Sequence, residues 1–238
     1  MVLANYFTAE GNKVQFTRDQ ASRFAKEIAN DFNPLHNTEA KMFCVPGDLL
    51  FAVALNHLGL SQQMHFTFSG MVRDQAVIFP DSSASLIQVV DEAGKQYLSI
   101  EREGETTHDP LLIDHLSSRY VAFSGMAFPH ILVPLMAAEG VMINPARPLV
   151  IYQSMEIDLN RLDLNDPQLE STGSSLDVQG KKGMVRLDFR FMEAGIEVGH
   201  GTKHMALRGL QPYQDEVMQG VVDEYNDYKQ TYITAGKG

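Results

Sequence analysis

Residues 46–60 read PGDLLFAVALNHLGL, and this run decides how the chain is expected to fold. Pro46, Gly47 and Asp48 suit the opening turn of a helix, every residue from Leu49 to Leu55 is apolar, and Leu58 follows. A helix that is apolar nearly all round has no face to offer water, so it must lie in a core. Strand-forming segments come next to cover it: MHFTFSG at 64–70, SLIQVV at 85–90 and KQYLSI at 95–100, the last two joined by the turn-like DEAGK at 91–95.

Upstream of this run, Thr17 and Gln20 have the spacing of a capping box. Apolar residues then recur at Ala21, Phe24, Ala25, Ile28, Ala29 and Phe32, which predicts an amphipathic helix. It should stop near Phe32 or Asn33, because Pro34 pushes its predecessor out of the helical region and has no amide hydrogen to donate. Asp31 and His36 therefore flank a helix-to-loop junction.

The stretch EREGETTHDP at 101–110 is polar and carries Gly and Pro, so a boundary between two halves is expected there. The second half repeats the order of the first. Phe128–Ile143, FPHILVPLMAAEGVMI, is a second apolar helix, kinked at Pro134, and LVIYQSMEIDL, QLESTGSSLDV, GMVRLDFRFM and GIEVGHGTKHMALRG read as strands. After Pro212, Val217, Met218, Val221, Val222, Tyr225, Tyr228 and Tyr232 mark a last amphipathic helix. A buried helix followed by strands, written twice, is an internal repeat of architecture with little residue identity between its copies.

Composition narrows the function. The 238 residues are 44% hydrophobic and 21% charged, which is ordinary for a globular chain with a real core. A formal net charge of -11 opposes binding to nucleic-acid backbones and to anionic membrane surfaces. A few basic residues at one rim would still suffice for an anionic carrier such as coenzyme A. No basic segment followed by a long apolar run opens the chain, and no stretch approaches the roughly 18 apolar residues of a spanning helix. Cys44 is the sole cysteine, which agrees with a reducing cytoplasm, the expected location.

The segment FTRDQASRFAKEIANDFNPLH at 16–36 resembles the start of the MaoC-like, R-specific enoyl-CoA hydratases, in which an amphipathic helix leads into a loop of the form Gly-Asp-x-Asn-Pro-hydrophobic-His. Asp31, Asn33, Pro34 and His36 match that loop in identity and order, and Gly47 resembles the glycine that opens the family's central helix. Three positions depart from the pattern. Asn30 stands where the family usually has glycine, Pro46 where a histidine usually precedes the helix glycine, and Asp48 brings a negative charge to the helix start. More loosely, the whole chain resembles a group of uncharacterised bacterial proteins of this length.

The resemblance implies an α+β double hot-dog fold, with two antiparallel sheets each wrapping a long apolar helix. Its expected parts are 1–105 with the hydratase-like motif, 106–210 without it, and 211–238 as C-terminal helix and tail. It also implies reversible hydration of a 2-enoyl thioester carried on coenzyme A or an acyl carrier, as in fatty acid metabolism. Asp31 and His36 would hold the water as catalytic residues, one taking a proton and the other giving one, with the assignment open. Gly47 would present its amide to the thioester carbonyl, and Asn33 would serve the substrate-binding loop. Two alternatives accompany this reading: a silent hot-dog module that binds an acyl ligand or a protein, and a hot-dog thioesterase.

Several residues are assigned simpler parts. His200 and His204 have a metal-ligand spacing only if helical, and their context favours a strand or turn, so no metal or other cofactor is expected. Cys44 reads as a buried inert thiol, Met126, Met136 and Met142 as core, and the C-terminal tyrosines as packing residues with hydroxyls in solvent. No nucleic-acid or membrane partner is expected, and a homodimer is allowed for.

Overall fold

The computed structural model describes residues 1–80 and 83–235, so residues 236–238 of the expected C-terminal tail lie outside the described residues. In chain order the strands are β1 (Thr8–Glu10), β2 (Lys13–Gln15), β3 (Leu60–Phe68), β4 (Val77–Ile78), β5 (Leu86–Val90), β6 (Gln96–Thr107), β7 (Val141–Met142), β8 (Leu149–Leu159), β9 (Gln168–Gln179), β10 (Lys182–Glu193), β11 (Ile196–Arg208) and β12 (Gln211–Pro212). The α-helices are α1 (Arg18–Arg23), α2 (Gly47–Leu58), α3 (Pro110–Gly125), α4 (Ala127–His130), α5 (Leu132–Ala138) and α6 (Asp215–Ala235). No helix among the described residues is long and apolar enough to cross a membrane.

The expected apolar helix is α2, with Leu49–Leu55 and Leu58 all buried. It ends because Gly59 takes φ +81°, a left-handed conformation open to glycine at little cost. Phe51 on α2 meets Phe66 on β3 at 5.1 Å and Tyr120 on α3 at 4.8 Å, both edge to face. Tyr120 in turn meets Phe189 on β10 at 5.5 Å, so one aromatic chain runs from the first half into the second.

Two separate sheets were expected, and the structure corrects this. Ten strands form one antiparallel sheet in the order β1-β2-β4-β5-β6-β3-β8-β11-β10-β9. The halves join where β3 pairs with β8, from Gln63↔Asp158 to Thr67↔Ser154, and Phe66 and Met155, opposite one another there, are both fully buried. Joining the sheets edge to edge satisfies a row of backbone groups that two separate edges would leave open.

The second helix also lies elsewhere than expected. The main helix of this half is α3, which starts at the boundary stretch, where Asp109 accepts from the Leu111 amide and Pro110 fills the first turn. The polar stretch ahead of it masked an inner face of Leu112, Leu116, Tyr120 and Val121, all buried. The run 128–143 is no single helix: Phe128, ahead of Pro129, has φ -107° and ψ 133° inside the short α4, α5 stops at Ala138, and Gly140 at φ +65° turns the chain into β7. A second core gathers behind them, with Met136 and Met142 packed among Val185, Leu187, Leu207 and Met218, whereas Met126, expected in the core, is exposed.

Candidate functional site

The capping box at Thr17 and Gln20 forms with both of its bonds, but the helix it starts does not reach Phe32. After Arg23 the chain widens into a π-helical turn, Phe24–Ile28, and Asn30 then takes φ +55°. Asparagine tolerates this left-handed conformation, so Asn30 turns the chain out of the helix as glycine would. The Asp31 amide donates to Ala25 O at 2.8 Å and closes the turn.

The loop that follows is built from its own side chains. Asp31 Oδ1 accepts from the Asn33 amide at 2.9 Å, and Asn33 Oδ1 accepts from the Leu35 amide at 3.0 Å, capping the short 3-10 turn Pro34–His36. This leaves Asp31 Oδ2 turned toward His36 Nε2 at 3.6 Å. His36 is buried, and its Nδ1 donates to Cys44 O at 2.8 Å, which fixes the ring and aims Nε2 at Asp31. Burial alone would push the imidazole down. The Cys44 sulfur 3.9 Å from Nδ1, the Asp31 carboxylate and the Cys44 carbonyl outweigh it and hold His36 at about 9.

Phe32, expected on the helix stripe, is buried for another reason. Its ring meets Tyr225, Tyr228 and Tyr232 of α6 edge to face at 6.0, 5.9 and 5.8 Å. The tyrosine hydroxyls do not simply reach solvent. Tyr225 Oη accepts from the Phe32 amide at 3.2 Å and donates to Asn30 O at 3.3 Å, straddling Asp31, while Tyr228 donates to Asn37 Oδ1 at 2.9 Å.

Asp31, Asn33, His36 and Gly47 all line one cavity of about 610 Å³. Its walls are mainly apolar, with Leu50, Phe128, Leu132, Ile143, Val150 and Met205 among them, and Tyr225 and Tyr228 close one side. Met71 belongs both to this cavity and to a neighbouring groove of about 410 Å³ that also holds Arg73, Lys95 and Tyr97.

A second polar group in the cavity was not foreseen. Asp48, Ser124 and Lys203 are all buried. Ser124 Oγ donates to Asp48 Oδ2 at 2.5 Å and accepts from Lys203 Nζ, which lies 3.8 Å from Asp48 Oδ1 and 3.9 Å from the centre of the Tyr152 ring. Burial raises the Asp48 carboxyl against the pull of Lys203 and Ser124, and burial lowers the Lys203 ammonium against the opposing pull of Asp48. Lys203 had a signal in the sequence: on β11 it shares the inward parity of Gly201, Met205 and Leu207. Ser124 had none, because it sits near the end of the helix that was missed.

His200 and His204 lie on β11, where four residues span roughly 13 Å, too far to share one ion. Among the described residues no group of three or more His, Cys, Asp or Glu is placed to hold a metal.

A family model described as a protein of unknown function, DUF3581, matches residues 1–216. Among curated proteins none matches the sequence. Among solved structures the chain is similar to a TesB protein of Mycobacterium avium subsp. paratuberculosis, with 11% identity, a TM-score of 0.44, and coverage of 87% of this chain and 98% of that one. It is also similar to a conserved protein with hot dog fold from Alicyclobacillus acidocaldarius, with 10% identity, TM-score 0.44, and coverage of 90% and 99%. A MaoC-like dehydratase is similar at 11% identity and TM-score 0.41, with coverage of 87% and 99%.

Proposed function

We propose, for a chain that belongs to the DUF3581 family of proteins of unknown function, that it hydrates an enoyl thioester at Asp31 and His36. The observation that carries this reading is the pairing of Asp31 Oδ2 and His36 Nε2 at 3.6 Å on the wall of a mainly apolar cavity. That separation exceeds a direct hydrogen bond, and both groups can hold one water. In the same reading the continuous sheet is two hot-dog halves fused through β3 and β8, divided near residues 105 and 106, just inside the end of β6 at Thr107.

The raised imidazole favours one division of the roles. Asp31 takes a proton from water as the water oxygen bonds to C3 of the enoyl group, and the C2=C3 π electrons move toward the thioester carbonyl. Protonated His36 delivers its Nε2 proton to C2, and the Asp31 proton returns to His36 to close the cycle. Asn33 and Pro34 hold the loop in the shape this requires, Asn33 through its own turn. The apolar walls suit an acyl chain, and Arg73 and Lys95 in the adjoining groove suit the phosphates of coenzyme A.

Hydration of crotonyl-CoA and longer enoyl-CoA compounds by the purified protein is the test. Asp31→Asn and His36→Ala should each lower turnover by on the order of 10²- to 10⁴-fold while ligand binding persists, and the double variant should be little worse than either. Release of free thiol from saturated acyl-CoA would assign the cavity to a thioesterase. Binding without either reaction would assign it to a silent acyl-binding module.

A further inference from the structure

Hydration of a thioester conjugate needs a donor at the carbonyl oxygen, where negative charge gathers as water adds. The Gly47 amide at the start of α2 was the expected donor. A β-carbon on Gly47 would lie 2.6 Å from Cδ1 of Tyr152, so what approaches this glycine closely is the tyrosine ring. The next residue is Asp48, whose buried carboxylate disfavours an enolate at the same spot.

Lys203 reverses that balance. Lys203 lines the cavity, and its ammonium, on the face of the same Tyr152 ring, carries three donors, yet among the described residues Ser124 Oγ is its one hydrogen-bond acceptor within 3.5 Å. Asp48 Oδ1, 3.8 Å away, is too far to be a second, and that oxygen is itself buried without a hydrogen-bond partner. A buried charged cluster is costly, and apolar side chains of similar volume serve stability as well or better. An ammonium left with spare donors inside a mainly apolar cavity is a site for an oxygen acceptor carried in by a ligand.

We propose that Lys203 donates a hydrogen bond to the thioester carbonyl oxygen and is a catalytic residue of the hydration, with Ser124 and Asp48 as positioning residues that hold its ammonium. This rests on the cavity's reading as an enoyl-thioester site. When the water oxygen bonds to C3 and the π electrons reach the carbonyl oxygen, the Lys203 N–H stabilises the enolate. When the proton arrives at C2 the carbonyl reforms, and Lys203 ends the cycle with the protons it began with.

The test uses an enoyl-CoA whose chain carries an electron-donating aromatic ring, so that its absorption moves to the red as the carbonyl is polarised. The wild type should shift this probe on binding. Lys203→Met should bind it with most of the shift lost, and crotonyl-CoA hydration should fall by on the order of 10²-fold or more. Because Lys203→Met strands the Asp48 charge, the double variant Asp48→Asn/Lys203→Met is made alongside it, and the same two losses are expected. If either folded variant keeps the shift and the turnover of a wild type that hydrates enoyl-CoA, Lys203 is not the carbonyl donor although the hydratase reading stands. If the wild type neither shifts the probe nor hydrates any enoyl thioester, the reading of the cavity fails and the assignment of Lys203 fails with it.

Discussion

At the scale of single residues, the site depends on how a few polar groups are satisfied inside a mainly apolar wall. His36 shows this most clearly, since its Nδ1 bond to Cys44 O and the facing Asp31 carboxylate both favour the charged ring. A group raised from 6.5 to about 9 on folding contributes stability that is fully present below pH 6.5 and is lost as the pH climbs through about 9. The melting temperature should therefore fall between those values, by an amount equivalent to on the order of 3 kcal/mol, and His36→Gln should lose that slope. Equal slopes in wild type and variant would mean that the pair does not form. Asp31, Asn33, Pro34 and His36 were legible because each acts within a few residues of its own position. Lys203 showed only an inward strand position and Ser124 nothing, because their meaning lies in each other and in Asp48, 76 or more positions away.

At the scale of elements, α6 was readable as an amphipathic helix while the surface it covers was not. Its tyrosines cage Phe32 and hold the backbone on both sides of Asp31, so the last helix of the chain shapes a loop near its beginning. Tyr225→Phe keeps the ring contact and removes both hydroxyl bonds. It should cost about 1–2 kcal/mol of stability and lower turnover with enoyl-CoA more than binding, since the carboxylate shifts while the apolar walls remain. Unchanged turnover in a folded Tyr225→Phe protein would show that α6 packs on the loop without positioning it. The misplacement of the second helix has a similar origin: apolar content favoured 128–143, but the Phe128 backbone at its start and the turn at Gly140 cut it short, and the polar stretch ahead of α3 masks a face that packs against α2 and β9.

At the scale of the molecule, the halves share a sheet through β3 and β8 and share a core through Phe51, Tyr120 and Phe189. A chain joined in this way should unfold in one cooperative transition, with calorimetric and van't Hoff enthalpies in agreement. Two resolved transitions in calorimetry would mean that the halves are independent despite the continuous sheet. The cavity belongs to this scale too, since its lining runs from the motif loop through α3 and β11 to α6.

Local chemistry was enough to place α2, the strands β8 to β11, the turn at DEAGK and the loop carrying Asp31 and His36, whereas β6 runs to Thr107 through residues 101–107 that read as a boundary. Helix capping, side-chain alternation and proline's fixed backbone act over a few residues and leave a pattern in order along the chain. Whether the strands close as one sheet or two, which helix meets α2, and which charges share the cavity depend on contacts between residues far apart in sequence. Pairing edges, burying aromatic faces and neutralising a buried carboxylate are settled only when those segments meet. Lys203 is therefore one lysine in an alternating strand until β11 folds over the start of α2, where its charge stands beside Asp48 and in the cavity that holds His36.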